Sequence, residues 1–159
     1  MMTTVEFDII ECDFCDHNHL LAIGYLLNAY IADDMGGGTL LTKLQQLRVV
    51  NRLDNHPMAV VLLALSDSQP IGMLIGFENF STFTVKPMIN IHDLIVLPAF
   101  RKRGAGRMLM EKAITVARQR GCSRVTLEVR RDNVSAQSLY NDLGFQEADP
   151  PMLYWRKNL

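Results

Sequence analysis

Apolar and polar residues alternate along the chain with two different periods, and the switches between those periods mark the elements. Val5 to Ile10 alternates as a first strand, whereas Leu20, Leu21, Ile23, Leu26, Leu27 and Ile31 recur at helical spacing and predict a helix from about His19 to Ala32. Gly36-Gly37-Gly38 ends it, and a second helical pattern runs from Leu40 to about Leu53. Strands follow: Ala59 to Leu65, a turn at Asp67-Ser68-Gln69-Pro70, Ile71 to Phe77 as the other arm of a hairpin, and Met88 to Leu97, opened by Lys86-Pro87 and closed by Pro98. A long helix is predicted from about Gly104 to Arg120, with Leu109, Met110, Ala113, Val116 and Ala117 on one face and Gly121 beyond the last turn. Val125 to Val129 reads as a strand. Asp132 or Asn133 then caps a short helix carrying Ala136, Leu139, Tyr140 and Leu143, which Gly144 stops, and Met152 to Arg156 reads as a last strand. This order predicts a mixed α/β sheet with helices on its faces and a strand-loop-helix unit at its centre.

Composition narrows the picture. The 159 residues suit a single domain over 1–159, and 48% apolar with 21% charged residues is the balance of an ordinary globular protein. The longest apolar run, Met58 to Leu65, spans eight residues, whereas a membrane-spanning helix needs about 20. No basic segment followed by an apolar stretch opens the chain, so the cytoplasm is the expected location. The net charge of −1 gives no general attraction to nucleic acid or anionic membrane. Its distribution is uneven: residues 1–100 carry 4 basic and 11 acidic side chains, residues 101–159 carry 12 and 6. One part favours cations and the other anions.

Three cysteines make no complete disulfide framework. Cys12-x-x-Cys15 followed by His17 and His19 raises the question of a metal, but structural zinc sites draw their ligands from two separated segments. The acidic neighbours Glu11, Asp13 and Asp16 would raise thiol pKa values and not lower them, which argues against a redox pair. The expectation is a strand-to-helix corner with reduced thiols and no metal requirement.

The most informative segment is Leu94-Ile95-Val96-Leu97-Pro98-Ala99-Phe100-Arg101-Lys102-Arg103-Gly104-Ala105-Gly106-Arg107. A buried strand runs into a basic, glycine-containing loop that opens a helix, an arrangement that brings backbone N–H groups and a helix dipole to a phosphate. A P-loop would need Lys and Ser/Thr after Gly106, where Arg107 and Met108 stand, and a dinucleotide fingerprint would need Gly at position 109, which is Leu. An ordinary solvated helix start is the competing explanation.

Asn133-Val134-Ser135-Ala136-Gln137-Ser138-Leu139-Tyr140-Asn141-Asp142-Leu143-Gly144-Phe145 lies one strand beyond this loop. Together the two segments resemble the GCN5-related N-acetyltransferases, the GNAT superfamily. The loop is similar to that family's R/Q-x-x-G-x-G/A signature at Arg101, Gly104 and Gly106, and the later segment to its N-x-x-A-x-x-L-Y-x-x-x-G-F signature at Asn133, Ala136, Leu139, Tyr140, Gly144 and Phe145. The resemblance covers essentially the whole chain. It implies a mixed, mostly antiparallel sheet of six to seven strands flanked by about four helices, acetyl-CoA as cosubstrate, and a homodimer. It further implies that the pyrophosphate rests on the amides of Arg101, Lys102, Arg103, Gly104, Ala105 and Gly106. The pantetheine arm would pair with Leu94, Ile95 and Val96 where that strand splays from Val125 to Val129, with Asn133 supporting the arm.

Acetyl transfer to an amine makes two demands on protons. An aliphatic amine of pKa about 10.4 is almost wholly protonated at neutral pH, so a base or water chain must help it attack. The departing thiolate needs a proton or a hydrogen bond, and the resemblance assigns that to the Tyr140 phenol. Full transfer from a phenol to a thiolate is uphill by about 2 kcal/mol, which favours hydrogen-bond donation. For the base, simple strand alternation groups Asn90, His92, Leu94 and Val96 on one face and Ile89, Ile91, Asp93, Ile95 and Leu97 on the other. His92 is the first candidate, followed by Asp93 and Glu78; a structural histidine is the alternative.

The stretch Phe77-Glu78-Asn79-Phe80-Ser81-Thr82-Phe83 is similar to one in diamine acetyltransferases, which makes Glu78, Ser81 and Thr82, with Tyr30, Asp33, Asp34 and Asp93, the candidate pocket for a small amine. Competing readings are acetylation of a protein N-terminus or lysine, a non-catalytic acyl-CoA sensor, and a nucleic-acid module suggested by Arg118, Arg120, Arg124, Arg130 and Arg131. The expectation is no nucleic-acid or membrane partner.

Overall fold

A computed structural model describes residues 6–159, which divide into two compact units, the first ending at Glu128 and the second running Val129–Leu159. In the first, five strands form one sheet in the order β1 (Asp8–Glu11), β2 (Ala59–Ser66), β3 (Gln69–Ser81), β4 (Lys86–Val96) and β5 (Val125–Leu127). Neighbours are antiparallel except β4 and β5, which run parallel. That parallel step requires a crossover, supplied by the helix α3 (Ala105–Gln119).

Helix α1 (His17–Ile31) starts where the Asp16 carboxylate accepts from the Asn18 N–H at 2.8 Å. Helix α2 (Lys43–Asp54) starts at Thr42, which forms a reciprocal capping box with Gln45. The predicted start at Leu40 falls short of this cap because Leu41 is held outside the helix, its N–H and C=O both bonded by the Asn28 side chain. Ala22, Ile23 and Leu26 of α1 and Val50 and Leu53 of α2 bury themselves against Val61, Leu63, Met73, Ile75 and Ile95 on one face of the sheet. α3 covers the other face with Ala105, Leu109, Met110, Ala113, Val116 and Ala117, the stripe predicted from its spacing with one residue added. Leu26 is fully buried, so Leu26→Ala is expected to lower stability by about 2–5 kcal/mol in urea unfolding.

The second unit contains α4 (Val134–Asp142), capped by Asn133, whose side chain accepts from the Ala136 N–H at 3.2 Å. Two sequence expectations about strands need correction. The sheet has five strands among the described residues instead of six to seven, because Met152–Arg156 forms none. Alternation supplies strand propensity, but a strand exists only through a ladder partner; Pro150 and Pro151 carry no N–H, and Met152, Leu153, Tyr154 and Trp155 are all exposed. β5 is also shorter than Val125 to Val129. The part of the first predicted strand at Val5 lies outside the described residues.

The face grouping of β4 needs a third correction. Ile75 pairs with Asp93 but Gly76 pairs with Ile91, so His92 is an extra residue, a β-bulge. Alternation reverses there. Asn90 and His92 join Asp93, Ile95 and Leu97 on the face covered by α1 and α2, where the His92 ring meets Phe77 edge-on at 5.1 Å. Ile89 and Ile91 join Leu94 and Val96 on the α3 face.

Candidate active site

The bulge also changes where the backbone of β4 points. Before it, the Ile89 N–H donates to the Arg124 carbonyl on the β5 side at 3.2 Å; after it, the Leu97 N–H donates to Ile71 in β3 at 2.8 Å. Asp93, Ile95 and Leu97 therefore turn their peptide groups to β3, and Leu94 and Val96 turn theirs to the opposite edge. β5 does not reach them, because its pairing comprises only Ile89↔Val125, Asn90↔Thr126 and Ile91↔Leu127. The Asn90 side chain marks the last shared stretch, donating to the Thr126 hydroxyl at 3.0 Å. From His92 onward no strand among the described residues pairs with β4 on this side, which leaves an edge that β5 does not cover.

Beyond that edge a 3-10 turn, Pro98–Phe100, leads into the basic loop. Lys102 takes a left-handed conformation (φ 58°), and so does Gly104 (φ 98°), which caps α3 without a side chain. The amides of Arg103, Gly104, Ala105 and Gly106 donate to no backbone carbonyl outside the helix among the described residues, as expected of a helix start that presents its N–H groups outward. The Arg103 guanidinium lies over the Phe100 ring, 5.9 Å from its centre. Arg101 points the other way: its Nε donates to the Val96 carbonyl at 2.8 Å and its Nη2 pairs with Asp33 Oδ2 at 2.5 Å. The hydrogen bond from Arg101, with one from the Met35 N–H, holds the Asp33 carboxyl below the ordinary carboxylate range.

At the bulge His92 is exposed and Asp93 half-buried. Burial raises the Asp93 carboxyl above its usual value, against a smaller lowering by His92. A carboxyl raised in the folded state costs stability when ionised, so the native state is favoured as pH falls and loses that advantage as pH rises from 3.8 through the raised value. Asp93→Asn is therefore expected to be more stable than the parent in urea at pH 7, with the gain vanishing below the ordinary carboxylate range.

The remaining predicted residues are scattered. Tyr30 is half-buried in the last turn of α1 and Asp34 is exposed just beyond it, beside Asp33. Glu78 instead pairs with Arg120 at 3.1 Å and lies opposite Ile89 in register, seven residues along β4 from Val96, about 23 Å at 3.3 Å per residue. Ser81 is buried at that distal end, accepting from Arg124 Nη2 at 3.4 Å, and Thr82 is exposed in the turn that follows. The structure brings Tyr30, Asp33 and Asp34 to the loop end, His92 and Asp93 to the bulge, and leaves Glu78, Ser81 and Thr82 apart from both. Ion pairs and hydrogen bonds within the chain engage Arg120 with Glu78, Arg124 with Ser81 and Arg130 with Asp132.

Around Cys12, burial and then Asp13, Asp16 and Asp54 push the thiol up to about 11. His19 Nδ1 accepts from the Asp13 N–H at 3.0 Å. Among the described residues no group of three or more His, Cys, Asp or Glu side chains is arranged to hold a metal. In the second unit the Tyr140 ring packs against Phe145 at 6.0 Å, and the Tyr140 carbonyl accepts from the Phe145 N–H at 2.9 Å. Gln137 Nε2 donates to the carbonyls of Arg130 and Arg131, fixing the turn into α4.

A strand that leaves its parallel neighbour beside a basic helix-opening loop is the setting in which family comparison becomes decisive, and residues 29–145 match the sequence profile of the Acetyltransferase (GNAT) family. The chain belongs to this family of N-acetyltransferases. Among its relatives, the uncharacterized N-acetyltransferase YhfO of Bacillus subtilis is 35% identical over 96 residues, 60% of this chain and 64% of that protein. The aminoglycoside N(6')-acetyltransferase type 1 of Acinetobacter haemolyticus is 31% identical over 119 residues, 73% and 82% of the two chains. The [ribosomal protein bS18]-alanine N-acetyltransferase of Salmonella typhimurium is 45% identical over 75 residues, 45% and 51%. These GNAT matches span between about half and four fifths of the relatives' lengths.

Solved structures agree in fold. A probable acetyltransferase superposes with a TM-score of 0.83 at 22% identity over 96% of this chain and 98% of the other. AAC(6')-Iy in complex with the bisubstrate analog CoA-S-monomethyl-acetylneamine gives 0.77 at 18% identity over 97% and 99%. Within the GNAT fold, sequence reasoning missed the bulge and the Arg101–Asp33 pair. Gly76 inside β3 was the available signal for the former, since glycine within a strand often faces a bulge.

Proposed function

We propose that this GNAT protein transfers the acetyl group of acetyl-CoA directly to a primary amine of a small molecule, with residues 1–159 acting as one domain. The observation that carries the reading is the β4 edge left unpaired by β5, running into a helix-opening loop whose Arg103 to Gly106 amides donate to no backbone carbonyl outside the helix among the described residues. The chain's own residues fit the cosubstrate: Leu94 and Val96 present main-chain groups as a partner for an extended amide-bearing arm. Beyond them the N–H groups of Arg103 to Gly106, among Lys102, Arg103 and Arg107, suit a diphosphate. Acetyl-CoA supplies the activated acetyl thioester.

His92 then takes the amine's proton, directly or through water, from the face shared with Asp93 and Phe77. Asp93, whose raised carboxyl is a better base than an ordinary one, is the second candidate. Tyr140 donates to the departing sulfur, an assignment that rests on its motif. Tyr30, Asp33 and Asp34 remain the acceptor-side candidates, with Asp33 already balanced by Arg101. A cytoplasmic homodimer accompanies this reading; among the described residues no helix is long and apolar enough to cross a membrane.

Calorimetry with CoA, followed by thiol-release assays on polyamines, aminoglycosides, amino acids and alanine-terminated peptides, tests the proposal. Turnover of a small amine is the expected result. Activity confined to peptides would transfer the assignment to protein N-termini, tight CoA binding without turnover would favour a sensor, and no heat from CoA would remove the basis of the reading altogether.

A further inference from the structure

The arginine that opens the basic loop does not project into it. Arg101 is linked through Nε to the Val96 carbonyl, on the open edge of β4, and through Nη2 to Asp33, 68 residues earlier at the end of α1. Both bonds come from one planar fork, so they fix the orientation of the guanidinium and with it the point where the strand turns towards α3. Asp33 is itself held from three directions. Its N–H donates to the Tyr30 carbonyl at 3.1 Å, its carbonyl accepts from the Gly36 N–H at 2.9 Å, and its Oδ1 accepts from the Met35 N–H at 3.0 Å. Gly36 makes this turn possible, since a Cβ there would stand 1.9 Å from the Tyr30 carbonyl oxygen. The Asp33 side chain is only 14% exposed, so the pair is better shielded than an ordinary surface ion pair, although Arg101 at 41% is not.

We propose that Asp33 is a positioning residue for the cofactor loop: by clamping Arg101 against the Val96 carbonyl it sets the backbone that presents the loop amides, and so controls affinity for the CoA diphosphate from the acceptor side of the sheet. The inference rests on the acetyl-CoA reading above and changes one part of it. Arg101 contributes to anion binding through geometry, because its charge is already matched by Asp33. It also leaves Leu94 N–H, Leu94 C=O and Val96 N–H as the edge groups for an incoming arm, the Val96 carbonyl having been taken.

The sign of one measurement separates this role from direct phosphate contact. If Arg101 gripped the diphosphate, removing the competing carboxylate would tighten binding. If Asp33 positions the loop, removal weakens it. We expect Asp33→Asn and Arg101→Gln each to weaken CoA binding about 5-fold by calorimetry, a modest loss suited to a partly exposed charged pair. The double variant should be no weaker than the weaker single one, as for two ends of one interaction. In steady state the loss should appear in KM for acetyl-CoA measured at saturating amine, and Asp33→Glu should recover most of the affinity. Equal or tighter binding by Asp33→Asn, or additive losses in the double variant, would overturn the proposal, and so would a folded Asp33→Glu no better than Asp33→Asn. Absence of heat with the unmodified protein would instead count against acetyl-CoA itself, so the two failures are distinct.

Discussion

Replacing Tyr140 by phenylalanine is expected to reduce kcat by about 10²- to 10⁴-fold while leaving the affinity for CoA within a few-fold of the parent. The substitution removes one oxygen and keeps the ring. That ring packs on Phe145, and the main chain at Tyr140 anchors the end of α4 by accepting from Phe145, so the local structure survives the change. On the proposed role of Tyr140, what is lost is a donor for sulfur at the moment the thioester breaks. A thiolate leaving without a partner costs about 3–5 kcal/mol in activation free energy over that range of rates. In that role water would donate in place of the phenol, so the rate is expected to fall without reaching zero. Steady-state kinetics with acetyl-CoA and whichever amine the panel identifies measure this directly. A phenylalanine variant turning over at the parental rate would remove Tyr140 from the chemistry.

Gly104→Val is expected to act on the other parameter, weakening CoA binding by about 10- to 100-fold. At φ 98° and ψ −14° this residue sits where a β-branched side chain is strained by about 1–3 kcal/mol. A Cβ there would touch nothing within 4 Å, so the penalty is conformational and no neighbouring atom has to move aside. The chain relieves it by rotating Gly104 out of the left-handed region, which turns the adjoining N–H groups away from a common point. Gly104→Asn, which tolerates that region, should lose much less than Gly104→Val. Thermal unfolding provides the control: the melting point should move by only a few degrees while the calorimetric affinity falls. Parental affinity in the valine variant would mean that the loop amides do not hold the diphosphate.

Much of the architecture was legible because burial periodicity and terminators are local. α3 follows its predicted stripe from Leu109 to Ala117 and ends before Gly121, and α4 begins at one of the two caps foreseen, Asn133. The hairpin of β2 and β3 lies where the Asp67–Pro70 turn placed it. Failures came where pairing decides. The tail from Met152 to Arg156 has the alternation of a strand but no partner, and a partner is not written in the alternation itself. His92 was put on the same face as Leu94 because period-two counting assumes an unbroken ladder, and one extra residue reverses it. Arg101 and Asp33 meet through the fold, across 68 residues, and nothing adjacent to either announces the other. The loop glycines were visible as glycines; the strand edge they serve became visible only once β5 proved to stop at Leu127.

That early stop has a cost for any copy of the chain carrying no ligand. Bare hydrogen-bonding groups along a ribbon margin are a template on which another polypeptide can stack, the first step towards aggregation. The Arg101 guanidinium occupies one of those carbonyls, and the cations of Lys102, Arg103 and Arg107 nearby oppose stacking through mutual repulsion between copies. The same charges that would draw a nucleotide-bearing visitor therefore act as gatekeepers against self-association, and solubility should suffer first when they are neutralised.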